Sequence, residues 1–257
     1  MNRQTFDLDG KSALITGAAG SIGVATATLL AHHGARICAV DRPGSNWEAL
    51  ERALQGSNVF TVEANVTDET SVQHYVSQAM EKFGRIDIFF NNAGIEGEIS
   101  PIESYPLKNF REVFAVNVEG VFLGMKHVLP AMYAQGAGSV INSSSAVSVR
   151  GGPGVIAYVA SKHAVLGMTR CAAAEAAPRG VRVNCINPGP VEGRMMDSIA
   201  ARAGDAQVTR QHFIDAVPAH RYGKPEEVAA LVVFLASDAA SYCNGAFYAI
   251  DGGLTAV

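Results

Sequence analysis

KSALITGAAGSIG, residues 11–23, is the stretch that decides the fold. Residues 11–16 are a short apolar run behind a polar lead-in, the pattern of a buried strand. Residues 17–23 are a glycine-rich turn, and residues 22–33 (IGVATATLLAHH) are alanine-rich and helix-forming. Residues 35–40 (ARICAV) are a second apolar strand that stops at Asp41. Strand, turn, helix and strand in that order make one parallel β–α–β unit.

Glycines let the main chain approach a pyrophosphate closely, and the helix behind them presents free N–H groups and a positive dipole to it. Gly17, Ser21, Ile22 and Gly23 are therefore expected on the phosphates. Asp41 suits the hydroxyls of an adenosine ribose and repels a 2′-phosphate. No Lys or Arg lies in the turn, which favours NAD over NADP. Arg42, beside the acid, is the feature that keeps NADP open.

The alternation continues along the chain. Helical periodicity is read over 46–54 (opened by a Ser-Asn cap and closed near Gly56), 69–83, 156–177 and 224–237. Residues 107–135 carry two helices' worth of it, broken near 117–120. Apolar strands are read at 59–63, 86–90, 139–142, 181–186 and 246–250. The strands are apolar throughout rather than alternating, which predicts an α/β fold with a doubly wound, Rossmann-like parallel sheet of about seven strands and helices on both faces. No linker or repeat divides the chain, so residues 1–257 are read as one domain. Residues 190–222 break the rhythm: polar, helix-like only in pieces, and placed where a strand should open. That is the position of a substrate lid.

Composition narrows the function. A chain of 257 residues with 48% hydrophobic residues has ample material for a core. A net charge of −4 without a basic patch argues against nucleic acid as a partner. No apolar run is long enough for a membrane span, and residues 1–10 lack a secretory h-region. Cys38, Cys171, Cys185 and Cys243 lie far apart and read as small buried apolar residues of a reducing, cytoplasmic compartment. The seven histidines form no metal-ligand spacing.

Tyr158-Val159-Ala160-Ser161-Lys162 carries the chemistry. Residues four apart on a helix share one face. A free phenol has a pKa of about 10, and a neighbouring cation favours its anion, which would suit Tyr158 to proton transfer with an alcohol or carbonyl.

Taken in order, Thr16-Gly17-x-x-x-x-x-Gly23, Asn91-Asn92-Ala93-Gly94, Asn117, Ser145, Tyr158-x-x-x-Lys162, Pro188-Gly189 and Asp251-Gly252-Gly253 resemble the short-chain dehydrogenase/reductase family over essentially the whole chain. The resemblance implies hydride transfer between a nicotinamide and an alcohol or carbonyl. It makes Tyr158 the acid-base, with Lys162 lowering its pKa and holding the nicotinamide ribose. Asn117 would hold a water leading from Lys162 to solvent. Ser143, Ser144 and Ser145 compete for the substrate oxygen, and family spacing selects Ser145. Asn65, Val66, Asn91, Ala93, Gly94, Pro188, Gly189 and Val191 are expected to complete the cofactor site. Three departures stand out. Ser21 replaces a common glycine, Asn65-Val66 replaces Asp-Val, and Gly193 falls where a threonine often bonds the nicotinamide amide. The amide would then rely on backbone groups such as Val191.

Specificity is expected from residues 96–100, 146–156 and the lid. Val147 and Met195 are expected to touch the substrate together with Ser145 and Tyr158. The mostly apolar set predicts a medium-sized hydrophobic or cyclic secondary alcohol or ketone, with Arg150 and Arg194 as the alternative ligands of a carboxylate. The resemblance implies a homotetramer built on the 107–135 and 156–177 helices. A nucleotide sensor without catalysis is the reading from another class, and the intact Asn117, Ser145, Tyr158 and Lys162 argue against it.

Overall fold

Seven parallel strands form one sheet in the order β3-β2-β1-β4-β5-β6-β7. They are β1 (Ser12–Thr16), β2 (Arg36–Asp41), β3 (Val59–Glu63), β4 (Ile88–Asn91), β5 (Gly138–Ser143), β6 (Val181–Pro188) and β7 (Phe247–Ile250). The computed structural model describes residues 6–202 and 204–256. Residues 1–5, Ala203 in the stretch expected to form a lid, and Val257 lie outside them.

The helices are α1 (Ser21–His32), α2 (Glu48–Ala53), α3 (Glu69–Phe83), α4 (Leu107–Phe114), α5 (Gly120–Gln135), α6 (Ile156–Ala176), α7 (Arg194–Arg202), α8 (Ala206–Ala216) and α9 (Pro225–Ala236). One apolar core joins the sheet to α1, α2 and α9 through Leu30, Leu50, Val228 and Val232. The other joins it to α3, α5 and α6 through Tyr75, Val128, Met132 and Val165. Every residue of β1 is buried, as a strand covered on both faces requires. The chain leaves β1 for β2 on one side and reaches β4 on the other, so the cleft opens between β1 and β4 at the carboxyl ends of the strands.

Three expectations change. The 107–135 region has no break. Five residues, Ala115–Glu119, wind as a π-turn that joins α4 to α5. Gly120 is no helix stop, for a Cβ there would meet Val66 Cγ2 at 3.0 Å. Residues 190–222 contain two formed helices, α7 and α8, capped by Asp205 accepting from Gln207 and Val208 N–H. Of the cysteines, Cys38 and Cys185 are buried and Cys243 is half-buried, but Cys171 is exposed. It lies on the outward face of α6, where an amphipathic helix meets solvent.

Candidate active site

The floor of the cleft is main chain. Gly17 has φ +65°, and a Cβ there would meet Ala93 Cα and Asn92 Nδ2 at 3.0 Å. A Cβ on Gly23 would fall against Gly17 O and 2.7 Å from Ala18 Cα. Thr16 ties the two sides of the switch point together: its buried Oγ1 accepts from Asn92 N (3.0 Å) and Ala93 N (3.1 Å). Asn92 Nδ2 returns bonds to Thr16 O and Gly17 O. Asp41 Oδ2 accepts from Ala19 N at 2.9 Å, and its Oδ1 accepts from Arg42 N and Ser45 Oγ at 2.8 Å. The acid thus locks the glycine turn to the end of β2. The bare backbone, the helix end at Ser21 and the carboxylate beside them fit a nicotinamide dinucleotide.

Two of the departures explain each other. Gly193 has φ +137° and lies against Ser21, whose Cβ would be 2.8 Å from a Cβ built at 193. With serine at 21, no larger residue fits at 193. Nearby, Val191 bridges Gly223, but the bonds of that bridge run from Glu192 N and to Pro190 O, so the N–H and C=O of Val191 itself are left to face elsewhere. Pro188 ends β6, and Gly189 N donates to Ile250 O at 3.1 Å. A Cβ on Gly189 would crowd Asp251, whose carboxylate closes the following turn on Gly253 and Thr255.

The remaining predicted cofactor residues divide. Gly94 lines the cleft: a Cβ there would come 3.3 Å from Asn117 Oδ1 and 3.5 Å from Lys162 Nζ. Val66 packs on Gly120. Asn65 is exposed, with its Oδ1 accepting from Thr67 N and Oγ1. Asn91 turns inward instead. It is 3% exposed, and its Nδ2 donates to Val121 O and Asn142 Oδ1, so its amide braces β4 against β5 and α5 rather than facing the cleft.

Strand β5 runs into the three serines, and the structure separates them. Ser143 supplies a carbonyl that accepts from Lys162 Nζ at 2.8 Å. Ser144 Oγ donates to Lys162 O at 2.9 Å. Ser145 alone faces Tyr158, where its hydroxyl favours the phenolate. Its Oγ is held by Val147 N at 3.4 Å and Pro188 O at 3.5 Å. Val147 and Met195 are half-buried.

Lys162 Nζ stands 5.5 Å from the centre of the Tyr158 ring and is 3% exposed. Burial pushes the Tyr158 phenol up to about 12; hydrogen bonding from Ser145 opposes this, and the charge of Glu96 adds to it. Desolvation of the phenol is the largest of these effects. Burial brings the pKa of Lys162 down to about 8, and its ammonium is directed at the Ser143 carbonyl.

Asn117, fully buried in the π-turn, clamps both main-chain groups of Ile95. Its Oδ1 accepts from Ile95 N at 2.9 Å, and its Nδ2 donates to Ile95 O at 2.9 Å and Ser161 Oγ at 3.1 Å. Arg150 is exposed and donates to Leu254 O, and Arg194 is exposed at the start of α7. Sequence reasoning gave no role to Thr16 Oγ1, to Asn92 or to Arg202. The first two lay inside quoted motifs. Arg202 binds Glu96 across 106 positions, a pairing without a local signal. Among the described residues no cluster of His, Cys, Asp or Glu could hold a metal ion, and no helix is long and apolar enough to cross a membrane.

A doubly wound sheet with a glycine turn at its switch point and a Tyr-x-x-x-Lys helix above it is the build of a nicotinamide-dependent oxidoreductase. The family model described as Enoyl-(Acyl carrier protein) reductase matches residues 17–255. Levodione reductase of Leifsonia aquatica is 41% identical over 95% of this chain and 93% of its own, and a crystal structure of levodione reductase superposes with a TM-score of 0.94 at 40% identity, covering 97% of this chain and 99% of that one. Cyclohexanol dehydrogenase of Acinetobacter sp. strain SE19 is 36% identical over 96% of both chains. The NAD+-bound structure of xylitol dehydrogenase gives a TM-score of 0.89 at 36% identity, covering 96% and 99%. The chain belongs to the short-chain dehydrogenase/reductase family.

Proposed function

We propose that the protein is an NAD-dependent dehydrogenase or carbonyl reductase acting on a medium-sized, mostly apolar or cyclic secondary alcohol or ketone. The observation that carries this reading is the convergence of Ser145, Tyr158 and Lys162 at the mouth between β5 and α6, over a cleft floored by glycine main chain. When bound, the nicotinamide supplies the chemistry of hydride transfer. Asp41 accepts the adenosine ribose hydroxyls and disfavours a 2′-phosphate. Gly17, Ser21, Ile22 and Gly23 seat the pyrophosphate, and Lys162 holds the nicotinamide ribose. Tyr158 holds the proton at the substrate oxygen, taking it in oxidation and giving it in reduction, and Ser145 donates a hydrogen bond to the same oxygen. Val147 and Met195 supply the apolar wall. Residues 190–222 act as a lid on a single domain.

The half-buried, apolar lining supports the substrate class, as does similarity to a cyclohexanol dehydrogenase. Similarity to an NAD+-bound xylitol dehydrogenase supports NAD. The exposed Leu107 and Phe122 on α4 and α5 suit a homotetramer, and the buried free thiols Cys38 and Cys185 suit the cytoplasm. A second reading, an NADP-dependent biosynthetic reductase, is favoured by Arg42 beside Asp41 and by the description of the family model.

A panel of secondary alcohols and ketones followed by NADH absorbance tests the activity. Tyr158→Phe is expected to lower kcat/KM by about 10²–10⁴-fold and to leave the NADH dissociation constant within about threefold. Undiminished turnover in that variant would remove the assignment. NADH is expected to bind at least about tenfold more tightly than NADPH, since a 2′-phosphate beside Asp41 is repelled. The reverse order would select the second reading.

A further inference from the structure

Glu96 lies in the loop that leaves β4, and the rest of that loop is fixed at every step. Asn117 takes both main-chain groups of Ile95. Gly97, at φ +75°, packs on Val113 and on the Tyr105 hydroxyl, which accepts from Glu98 N at 3.1 Å. Ser100 N donates to Gly154 O at 2.8 Å, joining the loop to the one that precedes α6. In this frame the Glu96 side chain is only 11% exposed. Arg202, on the last turn of α7, donates from Nη2 to Glu96 Oε1 at 2.8 Å and from Nη1 to Gly97 O at 2.7 Å. Among the described residues, the other hydrogen bonds and ion pairs of α7 and α8 stay within residues 190–222: Arg202 with Ser198, Asp205 with the start of α8, Gln211 with Asp215 and Arg210 with Glu192. Arg202 thus reaches out of its own segment to hold one carboxylate.

That carboxylate borders the pocket: it follows Ile95, held by Asn117 on both main-chain groups, and a Cβ on Gly94 just before would come 3.5 Å from Lys162 Nζ. Its charge also acts on the Tyr158 phenol. Arg202 engages Oε1, and no hydrogen bond to Oε2 is found among the described residues. Glu96 Oε2 is not among the fully buried unpartnered polar atoms, so it keeps an open side, where a further donor stabilises it and an apolar neighbour that displaces water destabilises it. A neutral hydroxyl meets that demand. A methylene group does not, and an anionic group is repelled.

We propose that Glu96, held in place by Arg202, is a specificity-determining residue whose free oxygen accepts a hydrogen bond from a second hydroxyl group on the substrate. The ring then presents its apolar body to Val147 and Met195, its reacting oxygen to Ser145 and Tyr158, and a second hydroxyl to Glu96. This rests on the activity proposed above and narrows its substrates from plain cyclic alcohols to cyclic diols and hydroxyketones.

The test compares kcat/KM on cyclohexanol with that on cyclohexane-1,2-, 1,3- and 1,4-diol for the wild type, Glu96→Gln and Glu96→Leu, with NAD+ present. The wild type is expected to favour at least one diol over cyclohexanol by about tenfold or more, because a site that hydrogen-bonds a substrate hydroxyl rejects the analogue lacking it. Glu96→Leu is expected to reduce that ratio to about one or below. Glu96→Gln, which keeps an acceptor oxygen and the shape of the side chain, retains part of it. The ratio is the readout because a general loosening of the loop lowers both rates together. An unchanged ratio in Glu96→Leu, or a wild type indifferent to the second hydroxyl, overturns the inference and leaves the proposed activity standing. Failure of the wild type to oxidise any of the four removes both.

Discussion

Around Gly17 the wall of the cleft is main chain locked by hydrogen bonds, whereas across the mouth residues 190–222 present side chains on two thinly anchored helices. The first wall joins three strand ends: Thr16, Asp41 and the Asn92–Ala93 peptide are bonded to one another or to the glycine turn at 2.9 to 3.2 Å. In the second wall α8 buries no residue and α7 buries only Ala200. The difference tracks the ligand each side would meet. A dinucleotide is invariant, so its seat can be cast in backbone, where a single added methyl does not fit. The side chains of α7 and α8, which the proposed function sets against the substrate, can change composition without touching the sheet.

The strongest way to break that contrast is Gly23→Ala. Its Cβ would enter the backbone of Gly17 and Ala18, so NADH binding, read by fluorescence titration, is expected to weaken by about 100-fold or more, with a Tm loss of several degrees. Tight binding in that variant would show that the turn is not cast in place.

Lys162→Met sharpens the contrast from the side of the chemistry. Turnover is expected to vanish while the fold gains stability. Burial holds the ammonium at a pKa of about 8 against an ordinary 10.5, which corresponds to about 3 kcal/mol against the charged form. Loss of the bond to the Ser143 carbonyl returns about 1 kcal/mol, leaving a gain of about 2 kcal/mol at pH 7. The unfolded chain binds the proton more tightly than the folded one, so the penalty is complete below about pH 8 and fades as pH rises to 10.5. Urea unfolding at pH 7 and pH 10 is therefore expected to show the advantage of Lys162→Met shrinking at the higher pH.

The smallest effect is expected in the other wall. Val208 on α8 is 66% exposed, and Val208→Ser is expected to change stability by less than about 0.5 kcal/mol. A larger loss in thermal unfolding would mean that α8 is anchored by contacts the polar bonds do not reveal.

How much of this was legible in the sequence follows the same division. The apolar strands and the glycine turn are local patterns, so the count of about seven strands, the doubly wound build and the boundaries of α3 could be read from residues alone. The Ser145–Tyr158 pairing could be chosen among three serines only by family spacing, because strand-end geometry decides which hydroxyl faces the mouth. Sequence shows that a lysine is near Tyr158 but not that its ammonium bonds the Ser143 carbonyl. The inward turn of the Asn91 amide had no signal for a similar reason: in a covered strand successive side chains face opposite layers, and the motif does not say which. The Glu96–Arg202 pair has no periodic signature at all.

The π-turn at Ala115–Glu119 makes chain length itself a specification. Each residue of an α-helix advances about 100° around its axis, so deleting one residue there would reel all of Gly120–Gln135 round by more than a quarter of a revolution. Val121, Met125 and Val128 would swing out of the core while Asn117 lost its grip on Ile95. The stretch from Leu107 to Gln135 can thus drift in composition but not in count, whereas the stretch after Pro190 is free to lengthen or shorten as new substrates are met.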